Sequence, residues 1–285
     1  MKRSDLGCHI GHQYAGALGY ADDITLICPS VGSLKKMLNI CQKFGDDFDI
    51  QFNPKKTVCI YFGKNDIANV KLCLNGKTIN WVTSVKHLGN YVTSDLSDNT
   101  DCSKKCSAFI GSVNKLIGNF GKVQTNVLMK LFHSFCCSFY GSQLWNVISP
   151  GFKKCCTQWN KAVRRLRRIP YQTHTLFLGT LSNQLSLSVQ LQIKTYSFLY
   201  SVLNSNNVLI RYVGNVAKQN AMSPMGCSFA TLRSRYGVKL FIKYNSLCIS
   251  KAAEISCLQE LLDCRNNLCS IEGFTEEEIY DLIYD

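Results

Sequence analysis

One short stretch near the start, Gly19-Tyr20-Ala21-Asp22-Asp23-Ile24-Thr25-Leu26, constrains this chain more than any other. Two adjacent carboxylates lie between apolar runs: Tyr14 to Leu18 is small and apolar, and Ile24 to Cys28 alternates into Pro29. The pattern predicts a β-hairpin with Asp22 and Asp23 at its tip, where charge stays accessible. Carboxylates held side by side repel each other, and an oxygen-preferring divalent cation such as Mg²⁺ relieves the repulsion. Two-metal phosphoryl transfer needs such a pair. An Asp-Asp dipeptide in a turn is by itself commonly no more than a solvated loop, so the flanking sequence decides its meaning.

After the hairpin comes an amphipathic segment with Leu34, Leu38, Cys41 and Phe44 on one face, capped by Ser30 or Ser33. Then follow Phe52-Asn53-Pro54-Lys55-Lys56-Thr57 and, further on, His87-Leu88-Gly89 with Tyr91. Tyr20-Ala21-Asp22-Asp23 resembles motif C of reverse transcriptases. The stretch around Lys56 resembles the Asn-x-x-Lys-Thr form of motif D, and the one around His87 resembles motif E, the primer grip. Three motifs in this order are most similar to the non-LTR (LINE-type) retrotransposon reverse transcriptases. The resemblance implies a palm built of an antiparallel hairpin plus helix, a helical thumb behind it, and template-directed DNA synthesis on RNA. It also implies that Asp22 binds a catalytic Mg²⁺, that Asp23 supports it, and that Lys56 is a candidate proton donor to the leaving pyrophosphate.

Nineteen residues precede Tyr20, and Gly7-Cys8-His9-Ile10-Gly11 resembles the tail of the segment joining motifs B and C. The expectation is therefore a C-terminal piece that begins inside the palm, without fingers or the motif A aspartate. Asp22 and Asp23 would lack their third carboxylate, and the chain alone would be inactive unless an upstream polymerase half is supplied as a partner.

With 285 residues and 46% hydrophobic content, the chain has material for one large or two modest domains. No apolar run approaches the ~20 residues that span a bilayer, and Met1-Lys2-Arg3 leads into no apolar signal region. The expected setting is intracellular, neither secreted nor membrane-bound. Sixteen cysteines without a signal peptide then read as reduced thiols. Their spacing suits zinc poorly: no Cys-x-x-Cys occurs, and the nearest groupings are Cys102 with Cys106, Cys136-Cys137 beside His133, Cys155-Cys156, and Cys257, Cys264 and Cys269. Most fall on apolar helix faces, where cysteine acts as a small hydrophobe. A zinc-organised interaction module is the weakest alternative.

Charge divides the chain sharply. Residues 1–100 hold 11 Lys/Arg against 9 Asp/Glu, residues 101–250 hold 19 against 1, and residues 251–285 hold 2 against 9. A middle section whose one acid is Asp101 is not an ordinary solvated surface, which mixes signs. A polyanion is the partner it calls for, and with the motifs that means RNA and DNA.

That section reads as helical. Cys106, Phe109, Ile110, Val113, Leu116, Ile117 and Phe120 recur at steps of three and four up to Gly121, and Val127, Leu128, Leu131, Phe132, Phe135 and Phe139 form a second stripe before Gly141 and Pro150. From Phe152 to Ile169 a third helix would place Phe152, Cys156, Trp159, Val163 and Leu166 on one arc. Lys154, Lys161, Arg164, Arg165 and Arg168 would gather opposite, as a face that meets phosphate, and Pro170 would stop the helix. Trp159 to Arg165 and Ile169 to His174 also resemble the segment after the thumb in LINE-type proteins.

The expected class is thus α+β and predominantly helical. Residues 1–100 are a partial palm, 101–150 a helical thumb, 151–250 a basic helical linker and 251–285 an acidic tail with Thr275 as an N-cap. The competing reading is a non-catalytic nucleic-acid-binding remnant.

Overall fold

A computed structural model describes residues 6–63, 70–182 and 184–236. Over these residues the fold is mixed α+β with about 53% helix, so helix predominates among them. The acidic tail with Thr275, and Cys257, Cys264 and Cys269, lie outside the described residues. The rest falls into two units. The first takes the described residues up to Asp101 together with Ser201–Asn220, and the second takes Cys102–Tyr200 together with the described residues from Ala221. One division thus runs beside residue 100. None runs at residue 150, and Ser201–Asn220, inside the expected linker, groups with the first unit.

Up to Asp101, the described part of the first unit is built from small sheets and one long helix, and Ser201–Asn220 adds a further helix, Val208–Gln219. β1 (His9–Ile10) pairs with β2 (Gln13–Tyr14), and β3 (Ala17–Tyr20) pairs with β4 (Asp23–Leu26), both antiparallel. The two hairpins are sewn together by backbone: the Cys8 N–H donates to the Ile27 carbonyl at 2.8 Å, and the Ile27 N–H donates to that of Gly16 at 2.8 Å. This closeness demands glycine, because a Cβ on Gly16 would sit 2.7 Å from the Gly7 Cα.

The helix α1 (Val31–Phe48) starts where the Ser30 hydroxyl accepts the Ser33 N–H at 3.2 Å. It buries Met37, Leu38, Cys41 and Gly45. Phe44, expected on that face, is instead 48% exposed and packs on Phe48. The stripe passes through Gly45, over which the chain returns at Ile50, and this leaves Phe44 at the rim.

Beyond α1 lies a three-stranded sheet in the order β5 (Val58–Cys59), β7 (Lys77–Trp81), β6 (Leu72–Leu74). Its β5 and β7 run parallel, and β6 and β7 are joined by an Asn75-Gly76 turn with both residues at positive φ. Leu38, Leu72, Leu74 and Ile79 form the small core between helix and sheet. A last hairpin, β8 (Ser84–His87) with β9 (Asn90–Thr93), turns at Leu88-Gly89. The buried Asp101 carboxylate accepts the Tyr91 N–H at 2.9 Å and ties β9 to the first turn of α2 (Asn99–Phe120).

The second unit has the larger core. α2, α3 (Thr125–Phe135) and α4 (Pro150–Arg167) pack around Phe109, Phe132, Trp145 and Trp159, with Trp159 fully buried. Each large apolar side chain so buried contributes about 1.5–3 kcal/mol. The sequence stripes supply most of this core. Ile110, Phe120, Val127 and Phe135 are exceptions, Phe135 at 73% exposure because it ends α3 at the boundary of the packed stripe.

Pro150 occupies the first turn of α4, and the Ser149 hydroxyl caps it by accepting the Phe152 N–H at 3.2 Å. The helix ends at Arg167, earlier than Pro170 would require. Arg168 adopts a left-handed φ of 57°, from which its N–H and that of Ile169 both reach the Arg164 carbonyl. Further along come α5 (Phe177–Ser182), α6 (Leu187–Leu203), α7 (Val208–Gln219) and α8 (Pro224–Tyr236). The Ser228 hydroxyl of α8 donates to the Trp145 carbonyl and accepts the Val147 N–H, and Gln192 of α6 accepts from Arg235 and Tyr236.

Candidate functional site

The acid pair sits at the tip of the β3–β4 hairpin, with Tyr20 opposite Asp23 in the register and a two-residue connection of Ala21 and Asp22. Ala21 carries a φ of 52°, a strained conformation for a residue with a Cβ. Asp22 and Asp23 are exposed, and among the described residues neither carboxylate takes a hydrogen bond or an ion pair. Exposed, adjacent and oxygen-only, they fit a hard cation such as Mg²⁺ as two of its ligands. Among the described residues no group of three or more His, Cys, Asp or Glu side chains converges to hold a metal ion.

Antiparallel partners share a face, so Tyr20, Asp23, Leu18 and Thr25 lie on one side of the hairpin. On that side Thr25 Oγ1 lies 3.2 Å from His87 Nε2, which belongs to the last residue of β8. The acid-bearing hairpin and the His87-Leu88-Gly89 hairpin are thereby joined.

Lys56 is exposed on a separate, locally closed turn. Asn53 Oδ1 accepts the Lys55 N–H at 2.9 Å, and the Asn53 carbonyl accepts the N–H groups of Lys56 and Thr57. Among the described residues no hydrogen bond or ion pair joins Lys56 to either carboxylate.

The expected basic face of α4 is arranged differently from a free row of cations. Arg164 turns inward, donating from Nε and Nη2 to the Thr173 carbonyl at 3.1 and 2.7 Å, and lies over the Tyr171 ring. Arg165 donates to Asn114 Oδ1 at 2.7 Å, and Arg168, beyond the helix end, donates to the Gly121 carbonyl at 2.6 Å. Lys154 and Lys161 are exposed. Because Asn114 lies in the second half of α2 and Gly121 just beyond its last residue, the exposed Lys115 and Lys122 beside them join the basic surface. Neither is among the sequence candidates; Lys115 stands off the Cys106–Leu116 stripe, so the 3.6-residue period marks it, whereas Lys122 lies in the turn after the helix. Arg167 also binds inward, donating to Asn126 Oδ1 at 3.0 Å.

The described part of the second unit contains fifteen Lys and Arg and no Asp or Glu. Arg164, Arg165, Arg167, Arg168, Lys194 and Arg235 are accordingly met by carbonyls, side-chain amides and a ring, which take their N–H groups without cancelling their charge. Four thiols are held protonated by burial, which pushes Cys59 and Cys106 up to about 11 and Cys137 and Cys156 up to about 12. Among the described residues no helix is long and apolar enough to cross a membrane. Set against family models, curated proteins and solved structures, the chain matches none of them.

Proposed function

We propose that this chain is part of a LINE-type reverse transcriptase, with a palm portion that carries the acid hairpin and a helical portion that binds RNA and DNA through their phosphates. The observation that carries the reading is the second unit, with fifteen cations and no acid among its described residues. Such a surface attracts a polyanion whatever its sequence and needs no base-reading side chain. The acid hairpin supports the catalytic part of the reading: Asp22 and Asp23 would offer carboxylate oxygens to Mg²⁺ from a strained, exposed turn. When bound, the metal supplies Lewis-acid polarisation of hydroxyl and phosphate oxygens. Lys56, exposed on its closed turn, is the candidate proton donor.

Binding of a labelled RNA–DNA duplex to the full chain, followed against salt, tests the reading. Alanine at Lys115, Lys122, Lys154 and Lys161 together should flatten the slope of log affinity against log salt by roughly three units, at about 0.7 to 0.9 for each lost phosphate contact. Preference among sequences should hardly move. An unchanged slope would remove the nucleic-acid surface from these helices.

A non-catalytic nucleic-acid-binding role is the second reading, favoured by the finding that among the described residues no third carboxylate, His or Cys joins Asp22 and Asp23 at the tip. Mg²⁺-dependent primer extension that is lost in Asp22→Asn selects the enzyme, and binding without extension selects the non-catalytic role.

A further inference from the structure

We propose that His87 is a positioning residue for the acid pair, holding the tip of β3–β4 in the geometry that receives a divalent cation. The inference rests on the reading of Asp22 and Asp23 as cation ligands. Among the described residues, the contact between Thr25 Oγ1 and His87 Nε2 at 3.2 Å is the one side-chain hydrogen bond that β3 or β4 makes. Apolar packing does little for the tip, because Tyr20 is 67% exposed and Ile24 is exposed as well. A two-stranded ribbon is marginal by itself, so a polar tether two residues from Asp23, on the same face, weighs heavily in fixing where the carboxylates stand.

The tether leads to a firm anchor. His87 closes β8 opposite Asn90 across the Leu88-Gly89 turn, and β9 is pinned through its Tyr91 N–H to the buried Asp101 carboxylate. A chain of specific bonds thus runs from the first turn of α2 to the acid tip. The Thr25 hydroxyl can donate to a bare imidazole nitrogen or accept from a protonated one, so the bond tolerates either charge state of His87. Without the imidazole, the tip must be ordered by the cation itself, which lowers affinity.

Terbium(III) is a direct probe, since it takes oxygen ligands and is excited through a neighbouring tyrosine, here the exposed Tyr20. In the full chain, Asp22→Asn with Asp23→Asn should abolish the sensitised emission. His87→Ala should weaken terbium binding about three- to tenfold, the loss expected for one hydrogen bond, with thermal melting little changed. His87→Gln, whose amide reaches the position of Nε2, should restore most of the affinity. Thr25→Val should reproduce the His87→Ala loss, and the double variant should be no weaker than either single; if His87→Ala melts the protein, Thr25→Val decides. Emission abolished by the Asp variants but unaltered by the His87 and Thr25 variants would overturn the positioning role and leave the cation site standing. Emission that survives the Asp variants would remove the cation site and the inference with it.

Discussion

The Arg168 guanidinium donates to the Gly121 carbonyl at 2.6 Å and so binds the end of α4 to the end of α2. The last carbonyls of a helix have no partner within it and carry the negative end of its dipole, so a cation is favoured there. An arginine counted from sequence as a free phosphate contact thus has a structural task as well. Arg168→Ala should lower stability by about 1–2 kcal/mol, read as a fall in the denaturant midpoint with unchanged slope. A midpoint equal to that of the parent chain would mean that the contact contributes nothing net.

At the hairpin tip, Ala21 holds a φ of 52°. Ala21→Gly should stabilise the protein by about 0.5–1 kcal/mol, since relief of the left-handed strain exceeds the extra entropy that glycine loses on folding. Ala21→Val should destabilise it by about 1 kcal/mol or more, because a β-branched residue fits positive φ worst. Thermal melting of the two variants checks the opposite signs.

His133 lies partly buried with both ring nitrogens enclosed and unbonded. Burial first, and the nearby Arg167 guanidinium second, hold its imidazole below the usual range. The folded state therefore favours the neutral ring, and the unfolded chain takes up a proton at about pH 6.5. The stability this represents is complete above that pH and is lost as pH falls toward the depressed folded value. Melting temperature should drop between pH 7 and 5, and His133→Leu should flatten that limb. A parallel decline in the variant would assign the acid loss to other groups.

Hydrogen exchange should separate the two units. Among the described residues the first unit buries a cluster of four apolar side chains around Leu38 and Ile79, whereas the second buries twenty-one around Trp159. Amides of β3, β4 and α1 should exchange through smaller openings than those of α2 and α4. Slower exchange in β3 and β4 than in α4 would contradict this.

The features legible in the sequence are those written locally. The hairpin turns at Ala21-Asp22 because its register follows from alternation on either side, and the apolar arc from Phe152 marks α4, although its start at Pro150 after a Ser149 cap lies two residues before the expected Phe152. The β5–β7–β6 sheet is not legible in this way. Its parallel pair joins Val58 to Asn80 across a long connection, which no periodicity announces, although Asn75-Gly76 is an open hairpin signal. The helical wheel places Arg164, Arg165 and Arg168 on the polar side of α4 but cannot show the Thr173, Asn114 and Gly121 partners. Those come from other segments and exist only once the helices pack.

A stretch of folded chain without Asp or Glu has a peculiar titration curve. Over its described residues the second unit gains no protons in the range where carboxylates normally take them up. The charge on these residues is therefore set by lysine, arginine and histidine alone, with no carboxylate among them to offset it. Such a surface has its attraction for anions tuned by salt, which screens a charge that nothing within these residues neutralises.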